Sequence, residues 1–122
     1  MGIEIMTVQA PIQSKINPAV ECCLRDACNC MMAGDYTESL RLYDKVIDAE
    51  PHNSNALLNK GNVLDILGNY SDALKCYNSA IECDPYNAEA WYNRGVTLKK
   101  TGAVEEGLSD IRKGISLAMG EI

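Results

Sequence analysis

Apolar residues along this chain keep a spacing of three and four, broken by short polar turns. In the middle, Leu57, Leu64 and Leu67 recur at helical spacing, and Gly68 then supplies the left-handed residue that ends a helix. Ala73, Tyr77, Ala80 and Ile81 give a second apolar stripe. Asp84-Pro85 stops it, because the residue before a proline avoids the helical region. Ser71 is placed to cap this second helix, as Thr37 is upstream, and Asn87 to cap the helix that follows. The pattern predicts pairs of helices joined by tight turns.

The same pattern is written three times. "GDYTESLRLY", from Gly34 to Tyr43, returns as "GNYSDALKCY", from Gly68 to Tyr77, at an offset of 34 residues. Gly34, Gly68 and Gly102 align at that offset, as do Leu40, Leu74 and Leu108, and Ile47, Ile81 and Ile115. Tyr43 and Tyr77 align with Ile111, and Pro51 with Pro85. Ala27, Gly61 and Gly95 share one column and Ser39, Ala73 and Gly107 another; small residues there let two helix backbones approach. Tyr36, Tyr70 and Val104 follow the turn glycine as wedges between the helices. A fixed period of this length marks stacked repeats. The units are 20–53, 54–87 and 88–121, six helices in all, with residues 1–19 as a short N-terminal arm.

Composition narrows function more than fold. A formal net charge of −6 argues against nucleic acid, whose binders neutralise phosphates with a basic face, and against anionic lipid. No apolar run approaches the ~20 residues of a transmembrane helix, and the start lacks the basic and apolar stretches of a signal peptide. The expected location is the cytoplasm, where the six cysteines stay reduced. Four of them crowd into "CCLRDACNC" (Cys22, Cys23, Cys28 and Cys30), without a C-x-x-C pair or a nearby histidine, so no metal or other cofactor is expected. The repeat instead puts Cys23 and Cys30 in core columns, aligns Cys22 with Ala56 and Ala90 and Cys83 with Ala49 and Leu117, and turns Cys28 toward the face of the first helices and Cys76 outward. The single histidine, His52, falls in a turn with no nucleophile placed beside it, and the glycines follow the repeat rather than a phosphate loop. No enzyme activity is expected.

These columns resemble the tetratricopeptide repeat, W-x2-L-G-x2-Y followed by A-x3-F and P. "WYNRGVTL" supplies Trp91, Gly95 and Leu98, and "ALKCYNSAIECDP" supplies Ala73, Tyr77, Ala80 and Pro85. Lys60 and Arg94 stand where the motif has leucine, and Met119 replaces the third proline. The resemblance covers residues 20–121. It implies an all-α, right-handed superhelical stack of helix-turn-helix units. It also implies a non-enzymatic interaction scaffold whose first helices line a concave groove for a peptide or helix of a partner protein.

On that register the groove side carries Leu24, Cys28 and Met31, then Leu58, Asn62 and Asp65, then Tyr92, Val96 and Lys99, with Arg25, Asn59 and Asn93 in a second line. Leu24, Leu58 and Tyr92 are expected to form an apolar strip across three units. Asn59, Asn62 and Asn93 stand beside it. Their amides suit the alternating N–H and C=O of an extended peptide, or else they are solvated or bonded to neighbouring helices. Family members that clamp a chaperone's C-terminal carboxylate use lysines, an arginine and two asparagines. Here Leu24, Cys28, Glu89 and Asn93 replace four of those five residues and only Asn59 matches; one unit later Asn62 and Asn93 match but no lysine does, so such a tail is not the expected partner.

A second reading is self-assembly. The last helix carries Leu108, Ile111, Ile115 and Leu117, the chain stops soon after it at Ile122, and Gly107 and Gly114 would admit another backbone closely. A homodimer through this helix, around a two-fold axis, is the expectation. The arm, with "IEIMTV" followed by Pro11 and Pro18, is expected to be flexible and long enough to fold back onto the groove.

Overall fold

The computed structural model describes residues 17–121. Six helices follow in order: α1 (Pro18–Met32), α2 (Tyr36–Ala49), α3 (Ser54–Ile66), α4 (Tyr70–Cys83), α5 (Ala88–Lys100) and α6 (Val104–Ala118). The helix α1 begins two residues upstream of the expected first unit, with Pro18 in its first turn, where a missing N–H costs nothing, and Asn17 as its cap. The expectations for the rest of the arm lie outside the described residues.

Each unit turns on its glycine. Gly34, Gly68 and Gly102 have φ of 85°, 81° and 99°, the left-handed region that suits glycine. In the first turn Asp35 N donates to Cys30 O at 2.8 Å and Gly34 N to Met31 O at 3.1 Å, which satisfies the carbonyls left over at the end of α1. The other two turns repeat both bonds. The helix α6 stops in the same way at Gly120, where α2 and α4 stop before a proline. The expected caps of α2 and α4 need correcting. Asp35 and Asn69 cap them, accepting from Glu38 N and Asp72 N, while Thr37 and Ser71 lie inside the first turn. Asn87 caps α5 as expected, and Asn53 caps α3.

Every helix packs on its neighbours in the chain. In addition α1 meets α3 and α3 meets α5, whereas α2, α4 and α6 do not meet one another. The first helices close ranks and the second helices splay. The face built by α1, α3 and α5 is therefore the concave one. Behind it runs a core of Tyr43, Val46, Ala56 and Val63 at one end and Leu57, Leu58, Tyr77, Ile81 and Ala90 at the other.

The small-residue columns set how near paired helices come. Ser39 still fits a hydroxyl, which donates to the Ala27 carbonyl at 2.9 Å. A Cβ at Gly61 would lie 2.7 Å from the Tyr77 ring, and one at Gly95 only 2.5 Å from the Gly107 carbonyl. In the third unit backbone meets backbone.

The departures from the motif have partners. Lys60 pairs with Asp44 at 2.7 Å, bridging the first and second units. Arg94 grips Asp110 with two nitrogens, at 2.6 and 3.0 Å, and its third donates to Asn78 Oδ1 at 3.0 Å. Its guanidinium also lies over the Trp91 ring, 4.9 Å from the centroid.

Candidate peptide-binding groove

The concave face is built at the junction of α3, α4 and α5. Asn62 Oδ1 accepts twice, from Tyr77 Oη at 2.8 Å and from Asn93 Nδ2 at 2.9 Å, so one amide joins two units. Asp65 does the same with its two oxygens, accepting from Thr97 Oγ1 and Lys100 Nζ, both at 2.8 Å. The hydrogen bond it donates to Asp65 holds the Lys100 ammonium above its ordinary pKa. Burial raises the Tyr77 phenol, which stays neutral and donates. Around these groups lies a hollow of about 230 Å³, walled by Ile66, Val96 and Thr97 as well as by Asn62, Asp65 and Asn93. The amide of Asn62 makes only a 3.5 Å contact to Asn59, and among the described residues Asn93 Oδ1 accepts from none. Two residues that line the hollow thus keep a donor and an acceptor with bonding capacity to spare, the pair an extended backbone can use.

The expected strip of Leu24, Leu58 and Tyr92 does not run unbroken. Leu58 is only 3% exposed and belongs to the core, because α5 of the next unit closes over it. Leu24 is half-buried on the first core cluster, and Tyr92 is 44% exposed. Cys28, Met31, Asn59, Asn62, Asp65, Asn93 and Val96 are half-buried. Three participants lie outside the expected set: Ile66, Thr97 and Lys100. The register carries a signal for two of them, since Met32, Ile66 and Lys100 form one column just beyond the expected line, whereas Thr97 falls in the column of Asn29 and Val63. Tyr77 counted as core alone, though its hydroxyl reaches the groove.

The cysteines differ from the expectation in three places, the first being Cys83, whose Sγ lies 3.7 Å from Nδ1 of His52, a histidine expected to have no nucleophile beside it. Cys22 is exposed although Ala56 and Ala90 in its column are fully buried, since no described helix packs on that side of α1. Cys76, expected to point outward, packs half-buried on the core beside Lys60. Burial, with Asp44 and Asp72 adding to it, pushes its thiol pKa up. Cys23 and Cys30 sit against the first core cluster, as their columns require. Among the described residues no three Cys, His, Asp or Glu side chains converge, and no helix is long and apolar enough to cross a membrane. At the far end Leu108, Ile111 and Leu117 are half-buried, and Ile115 is 46% exposed.

Comparison with known proteins agrees with this architecture. Models of the tetratricopeptide repeat match residues 42–75 and 88–118, and a TPR repeat model matches residues 66–102. The chain belongs to the tetratricopeptide repeat family. No curated protein matches it by sequence. Among solved structures, the Sgt2 TPR domain from Aspergillus fumigatus superposes with a TM-score of 0.80 at 20% identity, over 84% of this chain and 68% of that one. The second TPR of Spaghetti (RPAP3), bound to the HSP90 peptide SRMEEVD, gives 0.77 at 20% identity, over 80% and 91%. MamA gives 0.77 at 17% identity over 84% of this chain, which spans 60% of MamA's length. At such identities the likeness is one of fold.

Proposed function

We propose that the chain is a non-enzymatic scaffold that receives an extended peptide of a partner protein in the groove between its second and third units. The observation that carries this reading is the Asn62–Asn93 pair. Its two amides cross from one unit to the next beside an open hollow, with one donor and one acceptor to spare. Val96 and Ile66 add apolar surface to its walls. The peptide of this reading is not a chaperone's acidic C-terminal tail, although a structural neighbour carries one. Glu89 and Asn93 take the places of basic residues, and Asp65 already occupies Lys100.

Peptides selected from a display library against the full chain test this directly. Their affinity should fall about tenfold or more when Asn93→Ala or Ile66→Ala is introduced, each variant being checked for retained helix content. The peptide SRMEEVD should show no saturable binding. Selected peptides that bind both variants as tightly as the parent would place the working surface elsewhere. Leu58 is unsuited to this test because its truncation would damage the core.

A second reading, self-assembly, is favoured by a separate feature. The surface around Ile115 forms an apolar hollow of about 300 Å³ lined by Ala88, Tyr92, Gly114 and Ala118.

A further inference from the structure

We infer that copies of this chain join head to tail, with α1 of one molecule seated on α6 and the edge of α5 of the next, so that the repeat register continues across the junction. The inference rests on the self-assembly reading and is independent of the groove. It gives the contact a geometry that differs from a two-fold pair.

The two internal junctions define what a junction needs. A small residue is buried: Ala56 between the first and second units, Ala90 between the second and third. An aliphatic residue on the preceding second helix packs near it, Ile47 and then Ile81. A polar pair closes the convex side. Lys60 meets Asp44 at the first junction and Arg94 meets Asn78 at the second, with the same separation of 16 residues.

The outer faces carry the two halves of a third junction. On α6, Ile115 stands in the column of Ile47 and Ile81 but is 46% exposed. Tyr92, in the column of the buried Leu58, is exposed beside it. On α1, Cys22 stands in the column of Ala56 and Ala90, close to alanine in bulk, and is exposed. The polar pair reappears with its charges exchanged. Asp26 occupies the column of Lys60 and Arg94, and Arg112 occupies the column of Asp44 and Asn78. Both are exposed, and neither is in an ion pair among the described residues. A second copy stacked in register brings its Asp26 to this Arg112. Opposite charges then meet where the internal junctions also place a polar contact. A two-fold contact through α6 gives Asp26 no part. The complementarity therefore selects the head-to-tail arrangement.

Sedimentation of the full chain over a concentration series is the test. A head-to-tail contact does not close, so the mass should keep rising beyond a dimer as concentration increases. D26R and R112D, each of which sets like charges against each other, should shift association to about tenfold higher concentration. Mixing the two variants in equal amounts should restore it, because each head then finds a tail of opposite sign. The I115E variant should be monomeric and still helical. A monomer at every concentration would overturn the inference. So would a dimer that stops growing and ignores D26R, which is the two-fold outcome. Neither result bears on peptide binding at Asn93.

Discussion

The hydroxyl of Tyr43 is buried with no hydrogen-bond partner among the described residues, and burial pushes its pKa up to about 12. The reason lies one column away. Tyr77 donates to Asn62, but the first unit has Cys28 where the second has Asn62. An unsatisfied buried donor costs about 1–3 kcal/mol, so Cys28→Asn should stabilise the protein by about 1 kcal/mol once the side-chain entropy of the new amide is deducted. Urea unfolding would show a higher midpoint at constant slope; an unchanged or lower midpoint contradicts the account. The thiols offer a second check at this scale. Thiolate is the nucleophile, so the raised pKa of Cys76 leaves it mostly protonated near pH 8 and slow to alkylate. Its alkylation rate should keep climbing at pH values where the same thiol in urea has already levelled off. Cys22, being exposed, should be labelled first. Mass mapping of partly alkylated protein reads both. Equal rates at Cys22 and Cys76 in the folded state would mean that α3 and α4 do not shield Cys76.

Between helices, the decisive contact is the one that replaces a motif leucine. Asp110 is only 5% exposed, and Arg94 supplies both of its bonds while tying α5 to α4 through Asn78. Arg94→Ala leaves a buried carboxylate alone and should cost about 3–5 kcal/mol, whereas Arg94→Leu with Asp110→Leu should recover most of the loss. Leu42 already occupies the Asp110 column in the first unit, so the double variant imitates a packing this fold accepts. Thermal melts of the single and double variants check the pair. If the double is as unstable as the single, the ion pair is not what Arg94 contributes. Most of this element structure was legible in the sequence. Glycine spacing, the Asp84-Pro85 stop and Asn87 each act within one turn, and local chemistry decides them. The caps of α2 and α4 were misplaced because Asp35 and Asn69 compete with Thr37 and Ser71 two residues later, and only the turn's backbone selects between them. The partners of Lys60 and Arg94 were not legible, since they depend on which side chains two helices turn toward each other.

Across the whole molecule, the groove was legible as a set of columns but not as a surface. Exposure depends on which neighbour covers a column, and that changes from unit to unit: Leu58 is covered where Tyr92 is not. The same variation makes the two junctions unequal. Units two and three are joined on the concave side by Asn93 to Asn62, Thr97 to Asp65 and Lys100 to Asp65. At the matching columns, units one and two offer Asn59 to Cys28 and Val63 and Ile66 to Met31, with no hydrogen bond between them. In a stacked array, stability is close to a sum of unit and neighbour terms, so the weaker junction should open first. Amide exchange should therefore show α1 and α2 losing protection together, ahead of the block α3–α5. Asp65→Ala removes two of the three bonds on the concave side and should bring α5 and α6 down toward the protection of α1 and α2, with little effect on the first unit itself. Uniform protection over all six helices, or an unchanged pattern in Asp65→Ala, would show that apolar packing alone holds the junctions. With the predicted pattern, a peptide seated between Asn62 and Asn93 would lie across the firmer of the two junctions, where little ordering is left to be done on binding.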